Sequence, residues 1–310
     1  MPEFTEIEVV ENLPYESFYR DYVARQKPVV LGGAIDHLPA RHWTPEGLRD
    51  RLGGRTVRYR HPSGRMEPVE LGAVLDRILA GEKGIYLRNI NIPESLPELM
   101  DDIRPEIVYA RGCWKRSPLV PRNWLLPAER QELFIGGEGV RFPVVHRDYF
   151  GKDALLTQIC GEKLYLLYPP EQAPLLYPRA ENPLLSAIED PDAPDLSRYP
   201  DFTRARAMGI RLPPGYTLYI PNDYWHTTRI ITPSISFHNS IWHRYNWGKM
   251  LFRYRRIKEK SGGNPVKTAL VTTYGRLVAG VLPWFNSGPM TRRLQRRTRG
   301  VRGYRFPHEV

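Results

Sequence analysis

The stretch Val144-Val145-His146-Arg147-Asp148-Tyr149-Phe150 is the most informative one in this chain. Side chains two positions apart in an extended strand point to the same side, so His146 and Asp148 can contact one metal ion. A second stretch, Tyr219-Ile220-Pro221-Asn222-Asp223-Tyr224-Trp225-His226, supplies a third ligand after a turn. Two imidazoles and one carboxylate form the facial triad of non-haem Fe(II) sites, which leaves coordination positions open. His146, Asp148 and His226 are therefore the candidate metal ligands and catalytic residues.

The His-x-Asp pair alone is weak evidence. Eight His in 310 residues, combined with the Asp content, give roughly one third of such a match by chance. An isolated match is more often a structural hydrogen-bonded pair. The surrounding sequence must therefore carry the argument for a metal site.

Short strands with turn signals surround both stretches. Four segments are apolar or β-branched and are bounded by Gly and Pro turns: residues 133–137, 154–159, 163–168 and 216–220. Such a run of short strands indicates a sandwich or barrel, and a jelly roll would join ligands that lie 78 residues apart. The predicted fold class is mainly β with flanking helices: a double-stranded β-helix (jelly roll or cupin) core plus a C-terminal helical extension.

Three longer motifs follow one another in the chain. They are Phe134-Ile-Gly-Gly-Glu-Gly-Val-Arg-Phe-Pro-Val-Val-His-Arg-Asp148, Gln158-Ile-Cys-Gly-Glu-Lys163 with Leu166-Leu-Tyr-Pro-Pro170, and Leu212-Pro-Pro-Gly-Tyr-Thr-Leu-Tyr-Ile-Pro-Asn-Asp-Tyr-Trp-His226. Together they resemble the cupin-like branch of the JmjC-type Fe(II)/2-oxoglutarate oxygenases, in the manner of its asparaginyl and lysyl hydroxylases. The resemblance covers about residues 28–245. It implies that the three candidate ligands hold Fe(II), and that 2-oxoglutarate and O₂ are cosubstrates.

The resemblance also implies residues that bind the cosubstrate. Lys163 falls where the family places the lysine that pairs with the distal carboxylate of 2-oxoglutarate, and a buried Lys without such a partner would be costly. Thr157 lies on the same strand face as Lys163 if the strand is unbroken, so its hydroxyl could assist. Asn239 is the predicted contact near the end of the barrel. A slip of one residue would substitute His238 or Ser240, because it exchanges the two strand faces.

The chain departs from the family pattern just before the distal histidine. The family commonly has Gly before the aromatic pair, whereas this chain has Asp223 before Tyr224-Trp225. Asp adopts left-handed turn conformations more readily than most residues, so we expect the turn to persist.

Length and composition fit one catalytic domain with a smaller attachment. A chain of 310 residues with 41% apolar content can bury a substantial core. The predicted catalytic domain is 1–248, with its core over about 105–245 and N-terminal flanking elements, 1–104, as scaffold. The predicted basic helical extension is 249–310. Residues 181–199, rich in Pro and Asp, form a long loop that is either a substrate lid or an insertion.

The cysteines and the first residues indicate the compartment. Only Cys113 and Cys160 are present, and Met1-Pro-Glu-Phe-Thr-Glu6 has neither a basic region nor an apolar core. The sequence therefore predicts no disulfide framework and no signal peptide. We expect a cytoplasmic location, which also suits an Fe(II) site.

The charge of the chain is concentrated at its C-terminal end. From residue 249 onward, fifteen Lys or Arg stand against Glu259 and Glu309, a net charge of +13 that leaves −2 for residues 1–248. Two helices are predicted there, over 247–260 and 265–282, followed by an arginine-rich end.

This basic tail has several interpretations. Basic runs contact nucleic acid or anionic membrane, although a charge run is more often only a solvated face. The second helix has apolar residues at helical spacing, which favours a homodimer through the C-terminal helices, or packing on the barrel. Lys267, Arg276 and Pro283 interrupt the stretch and argue against a membrane-spanning helix.

The predicted activity is Fe(II)- and 2-oxoglutarate-dependent hydroxylation of a C–H bond in a protein or peptide side chain, with release of succinate and CO₂. One alternative is the same chemistry on a small natural product. Another is a non-catalytic cupin that binds a ligand or scaffolds a partner through its basic tail. The short chain has no zinc-binding cysteine clusters, which favours the hydroxylase branch over large histone demethylases.

Overall fold

Two β-sheets enclose one cavity in this protein. The structure is a computed structural model, which describes residues 4–61, 65–110, 119–120 and 131–286. Cys113 and the arginine-rich end predicted over residues 291–305 lie outside the described residues.

The described strands and helices have the following bounds. The strands are β1 (Phe4–Glu6), β2 (Val9–Glu11), β3 (Val29–Gly32), β4 (Thr56–Arg60), β5 (Met66–Glu70), β6 (Tyr86–Asn91), β7 (Glu132–Gly136), β8 (Asp153–Cys160), β9 (Lys163–Tyr168), β10 (Ala207–Leu212), β11 (Thr217–Ile220), β12 (Trp225–Ile230) and β13 (Ser234–Ile241). The helices are α1 (Tyr15–Phe18, continued by a π turn, Tyr19–Val23), α2 (Pro45–Leu52), α3 (Leu71–Leu79), α4 (Ile92–Ser95), α5 (Arg244–Lys260) and α6 (Pro265–Asn286).

The strand order confirms the predicted jelly roll. A seven-stranded sheet has the order β2-β3-β11-β8-β13-β7-β6, and a four-stranded sheet has the order β1-β10-β9-β12. The chain passes from one sheet to the other at the tight turn between β8 and β9. Gly161 in this turn has φ +65°, and a Cβ atom there would lie 2.0 Å from the carbonyl oxygen of Pro233. Only glycine fits this turn, because both its φ and its contacts exclude a side chain.

Successive side chains along β8 and β13 point alternately to two different environments. Leu155, Phe237 and Ile241 belong to the largest apolar cluster, which joins the seven-stranded sheet to α1, α2 and α3. The intervening side chains, including Leu156 and Ser236, line the cavity between the sheets. The period of two in a strand thus decides which side chains can reach the cavity.

The N-terminal residues do more than flank the core. β1 pairs in parallel with β10, and β2 pairs in parallel with β3, so residues 4–11 extend both sheets. Neither strand was predicted, because three-residue strands carry little periodicity. Helix α2 begins at a typical N-cap: Thr44 accepts a hydrogen bond from Gly47 N at 3.0 Å, and Pro45 is the first residue of the helix.

The two C-terminal helices pack on each other. Trp247 Nε1 on α5 donates a hydrogen bond to the carbonyl oxygen of Gly275 on α6 at 3.0 Å. Since α5 begins at Arg244, the predicted boundary at 248 falls inside a helix. Among the described helices, none has the length and apolarity needed to cross a lipid bilayer.

Candidate metal and cosubstrate site

The backbone brings the two candidate histidine ligands side by side. His146 N donates to the carbonyl oxygen of His226 at 3.0 Å, and His226 N donates to that of His146 at 2.8 Å. The segment before Asp148 is thus an additional antiparallel partner of β12. The imidazole centroids lie 4.3 Å apart. Ligand atoms of His146, Asp148 and His226 all lie within 4.8 Å of one another, so one metal ion can contact all three.

Hydrogen bonds orient both imidazoles. Nδ1 of His146 lies 3.2 Å from the carbonyl oxygen of Val144, and Nδ1 of His226 lies 3.2 Å from that of Tyr224. A carbonyl only accepts, so each Nδ1 carries the proton and each Nε2 has a lone pair for a metal. This backbone support is the outer-shell arrangement typical of histidine ligands.

The electrostatics of the three side chains favour a bound cation. Burial, followed by the neighbouring His226, lowers the pKa of His146 to about 3, so its imidazole is neutral at physiological pH. Burial would raise the pKa of Asp148, but Lys152 and the histidines outweigh it and hold that pKa well below its usual range. Two imidazoles and one carboxylate are a donor set that fits Fe(II).

Lys163 is a buried cation at another place in the same cavity. Its side chain is 1% exposed, and Nζ donates to Ser236 Oγ at 2.6 Å. The rings of Tyr86 and Phe134 lie 5.5 and 5.6 Å from Nζ. Burial lowers the pKa of Lys163 to about 7. Within the described residues no carboxylate pairs with this ammonium, so the site fits the carboxylate of a small anionic ligand.

The cavity that contains these groups has a volume of about 700 Å³. All three candidate ligands and Lys163 line it, together with residues that the sequence did not single out for the site: Tyr86, Arg88, Asn89, Glu132, Phe134, Phe142, Lys152 and Ser236. Phe142 stacks on the His146 ring with 4.1 Å between centroids. The Phe142 ring therefore covers one face of the His146 imidazole.

Two predicted cosubstrate residues lie elsewhere. Neither Thr157 nor Asn239 is among the described residues that line the cavity. The Thr157 hydroxyl is buried against Thr217 Oγ1 at 2.9 Å. The turn at Gly161 breaks the strand, so Thr157 and Lys163 belong to different sheets. Asn239 lies on the β13 face that is turned away from the cavity.

The neighbouring position on β13 is the one that faces the cavity. His238 lines it, is 4% exposed, and its Nδ1 lies 3.4 Å from Glu132 Oε2. The sequence left open that a slip of one residue would place a neighbour of Asn239 in the cavity. In the fold, that neighbour is His238. The other nearby histidine, His243, is a core residue, with Nε2 2.7 Å from Asp153 Oδ2.

The long loop between the metal motifs forms one wall of the cavity. Arg147 N donates to the carbonyl oxygen of Leu184 at 2.8 Å, and Ser186 N donates to that of Val145 at 2.9 Å. Arg147 Nη2 also donates to the carbonyl oxygen of Pro183 at 2.8 Å. Residues 183–186 therefore lie along the first ligand segment and are hydrogen-bonded to it. This part of the loop forms a wall of the cavity and is not a detached lid.

The chain belongs to the cupin-like domain family, because the model of that family matches residues 15–247. Its relatives include lysine-specific demethylase 8 of Xenopus tropicalis, 30% identical over 247 residues that cover 73% of this chain and 50% of that protein. The bifunctional peptidase and (3S)-lysyl hydroxylase JMJD7 of Homo sapiens is 26% identical over 255 residues, 67% of this chain and 75% of its own. Lysine-specific demethylase JMJ30 of Arabidopsis thaliana is 29% identical over 250 residues, 76% of this chain and 54% of its own.

These relatives confirm the resemblance to JmjC-type oxygenases. The chain spans about half the length of the lysine-specific demethylases that it matches.

Proposed function

We propose that this protein is an Fe(II)- and 2-oxoglutarate-dependent oxygenase that hydroxylates a side chain of a protein or peptide. The observation that carries the proposal is the joint presence, in one cavity, of the His146, Asp148 and His226 cluster and the buried ammonium of Lys163. A triad alone would suit many metals, and a buried lysine alone would suit many anions. Their combination is specific for a metal-chelating dicarboxylate.

Each group has a defined role in this proposal. His146, Asp148 and His226 hold the iron, while Lys163 and the Ser236 hydroxyl hold the distal carboxylate of 2-oxoglutarate. When bound, the iron and 2-oxoglutarate activate O₂ so that one oxygen atom enters a C–H bond and succinate and CO₂ are released. The protein's own contribution is orientation and exclusion of water. Phe142 against His146 limits solvent access on one side, and the paired segment 183–186 limits it on another.

The proposed substrate class is supported by the names of the relatives and by the size of the cavity. Relatives are named for lysyl hydroxylation and lysine demethylation, which are reactions on protein side chains. The cavity of about 700 Å³ can accept a side chain next to the cosubstrate. The test is mass spectrometry of candidate peptides and cell extract after turnover with Fe(II), 2-oxoglutarate and O₂. We expect a peptide that gains one oxygen atom; oxygen gain only in small metabolites would favour the natural-product alternative.

Binding of 2-oxoglutarate is expected to take up a proton at pH 8. The pKa of Lys163 is about 7 in the empty site, so this amine is mostly neutral at pH 8, and a carboxylate partner would raise the pKa again. Titration calorimetry at pH 8, in buffers of different ionisation enthalpy, should show uptake of about one proton per ligand. Lys163→Arg stays charged at this pH and should lose the uptake. Equal proton uptake in both proteins would contradict this role of Lys163.

We also propose that a second copy of this chain covers the exposed face of α6. Val266, Leu270 and Leu277 follow helical spacing and are 67%, 67% and 63% exposed. Light scattering should give twice the chain mass of 36.0 kDa, and Leu270→Glu with Leu277→Glu should give the monomer. The control is Leu196→Glu, at a leucine outside this helix that is 45% exposed. An unchanged mass, with binding to RNA or anionic vesicles lost after deletion of the basic tail, would favour the electrostatic interpretation instead.

A further inference from the structure

Helix α5 contacts both segments that carry the candidate metal ligands. Arg253 Nη1 donates a hydrogen bond to the carbonyl oxygen of Asp148 at 3.0 Å. The second amino group of the same guanidinium donates to the carboxylate of Asp223, three residues before His226. One planar side chain therefore joins the backbone of the first ligand segment to the turn before the second.

Asp223 is the residue at which this chain departs from its family. It has φ +67°, the left-handed conformation in which the resemblance leads one to expect Gly. Glycine would satisfy this backbone, so the backbone alone does not require a carboxylate. The carboxylate has two cationic partners on α5: Arg253, and Lys249 with Nζ at 2.9 Å from Asp223 Oδ2. Burial would raise the pKa of Asp223, but these cations outweigh it and keep the group ionised.

The first turns of α5 are fixed by a second, deeper set of contacts. Asp153 is fully buried and accepts hydrogen bonds from Asn222 N at 2.9 Å and Asn246 Nδ2 at 3.0 Å. His243 Nε2, in the N-cap residue of the helix, lies 2.7 Å from Asp153 Oδ2. Lys249 Nζ also donates to Asn222 Oδ1 at 2.7 Å. The helix is therefore anchored before it reaches Asp148, and Arg253 is held at a defined distance from the ligands.

The segment next to Asp148 needs such a support. Asp148 is followed directly by a short 3-10 turn, Tyr149–Gly151, and the hydrogen-bond geometry of such turns is poorer than that of an α-helix. At Gly151, with φ +65°, a Cβ atom would lie 3.1 Å from Lys249 Cβ, so the turn packs closely on α5. A carboxylate ligand on a short turn can rotate unless its backbone is held from outside.

We propose that Arg253 and Asp223 form a clasp that sets the relative position of Asp148 and His226, so that the C-terminal helix is part of the metal site. Arg253 is a positioning residue, because it contacts the ligand segments and not the metal. The inference rests on the proposed function only in that it requires a divalent metal at the triad. It explains why this chain has Asp rather than Gly at position 223.

Mn(II) binding to the full-length chain tests the clasp without relying on turnover. We expect Arg253→Ala and Asp223→Asn each to weaken Mn(II) binding, measured by calorimetry, about tenfold, the range typical of outer-shell partners of metal ligands. The double variant should lose little more than either single variant, because the two residues act as one unit. Arg253→Lys should be intermediate, since an ammonium cannot reach both acceptors as the guanidinium does.

Two further measurements separate positioning from general destabilisation. The absorption spectrum of saturating Co(II) should change in folded Arg253→Ala, because the ligand geometry changes, whereas a merely structural role would leave it unchanged. Arg255→Ala is the matched control: Arg255 is on the same helix, its side chain is 59% exposed, and it pairs with Glu259 at 2.8 Å. If Arg253→Ala fails to fold, Asp223→Asn carries the test, since Asn also adopts left-handed turns.

The outcomes are distinct. Wild-type Mn(II) affinity and Co(II) spectrum in the folded clasp variants would overturn the clasp while leaving the proposed function intact. Losses that add independently in the double variant would also overturn it. A wild-type chain that binds no Mn(II) would overturn the proposed function and this inference together.

Discussion

Asp148→Ala is expected to abolish specific binding of Fe(II) or Mn(II). The substitution removes the one carboxylate of the cluster and leaves two imidazoles, which supply no negative charge to balance that of a divalent ion. The loss should exceed the 10–100-fold that is typical of outer-shell substitutions. Calorimetric titration of Mn(II), with the folded state checked by circular dichroism, measures it directly.

Thermal unfolding gives a second measure of the same effect. A metal at 100 times its Kd stabilises the wild-type folded state by about 2.7 kcal/mol, and Asp148→Ala should lose this gain. The matched control is Asp36→Ala, whose side chain is 62% exposed and pairs with Arg41 on the surface. If Asp148→Ala kept the wild-type Mn(II) affinity, the triad would not be the metal site.

Lys163→Met is expected to remove tight 2-oxoglutarate binding while leaving metal binding in place. Loss of one partner of a buried ion pair costs about 3–5 kcal/mol, which corresponds to a loss of at least about a hundredfold in affinity. Methionine keeps much of the aliphatic volume, so the cavity wall should persist. The measurement is 2-oxoglutarate titration of the Mn(II)-loaded protein, with the exposed Lys267→Met as control.

The same substitution should stabilise the empty protein. The pKa of Lys163 in the fold, about 7, lies below the ordinary lysine value of 10.5, so the unfolded chain binds more protons between these values. Wild-type stability should therefore rise with pH through this window, and Lys163→Met should lack that contribution. Its gain in Tm should be largest at and below pH 7, where the buried amine is charged. A Tm that falls at every pH would indicate a structural rather than a functional lysine.

The sequence predicted the parts of the site that depend on local pattern. His146 and Asp148 share one short stretch, and His226 follows a recognisable turn, so each could be found without knowing the fold. The strand signals predicted β8, β9 and β11 within a residue or two, because turns with Gly and Pro bound these segments.

The rest depends on registers and contacts that leave no local signature. Whether His238 or Asn239 faces the cavity is decided by the pairing of β13, and a single-residue slip exchanges them. The sequence placed Thr157 on the same strand face as Lys163 if the strand was unbroken. The turn at Gly161 ends the strand, so the two residues lie in different sheets. The hydrogen bonds from Arg253 to Asp148 and Asp223 join a helix to two distant turns, and a basic helix in a charged tail gives no sign of them. The net charge of the tail therefore gave no indication of the contacts that Arg253 makes.

In the proposed function, iron and 2-oxoglutarate occupy one cavity, held by the triad and by Lys163. The decisive experiment is anaerobic titration of Fe(II) and then 2-oxoglutarate into the wild-type chain. We expect a visible metal-to-ligand absorption band that requires both components, one of each per chain, followed by formation of succinate when O₂ is admitted. Lys163→Met at the same concentrations should give neither. A folded wild-type protein that shows no band and forms no succinate would contradict the account.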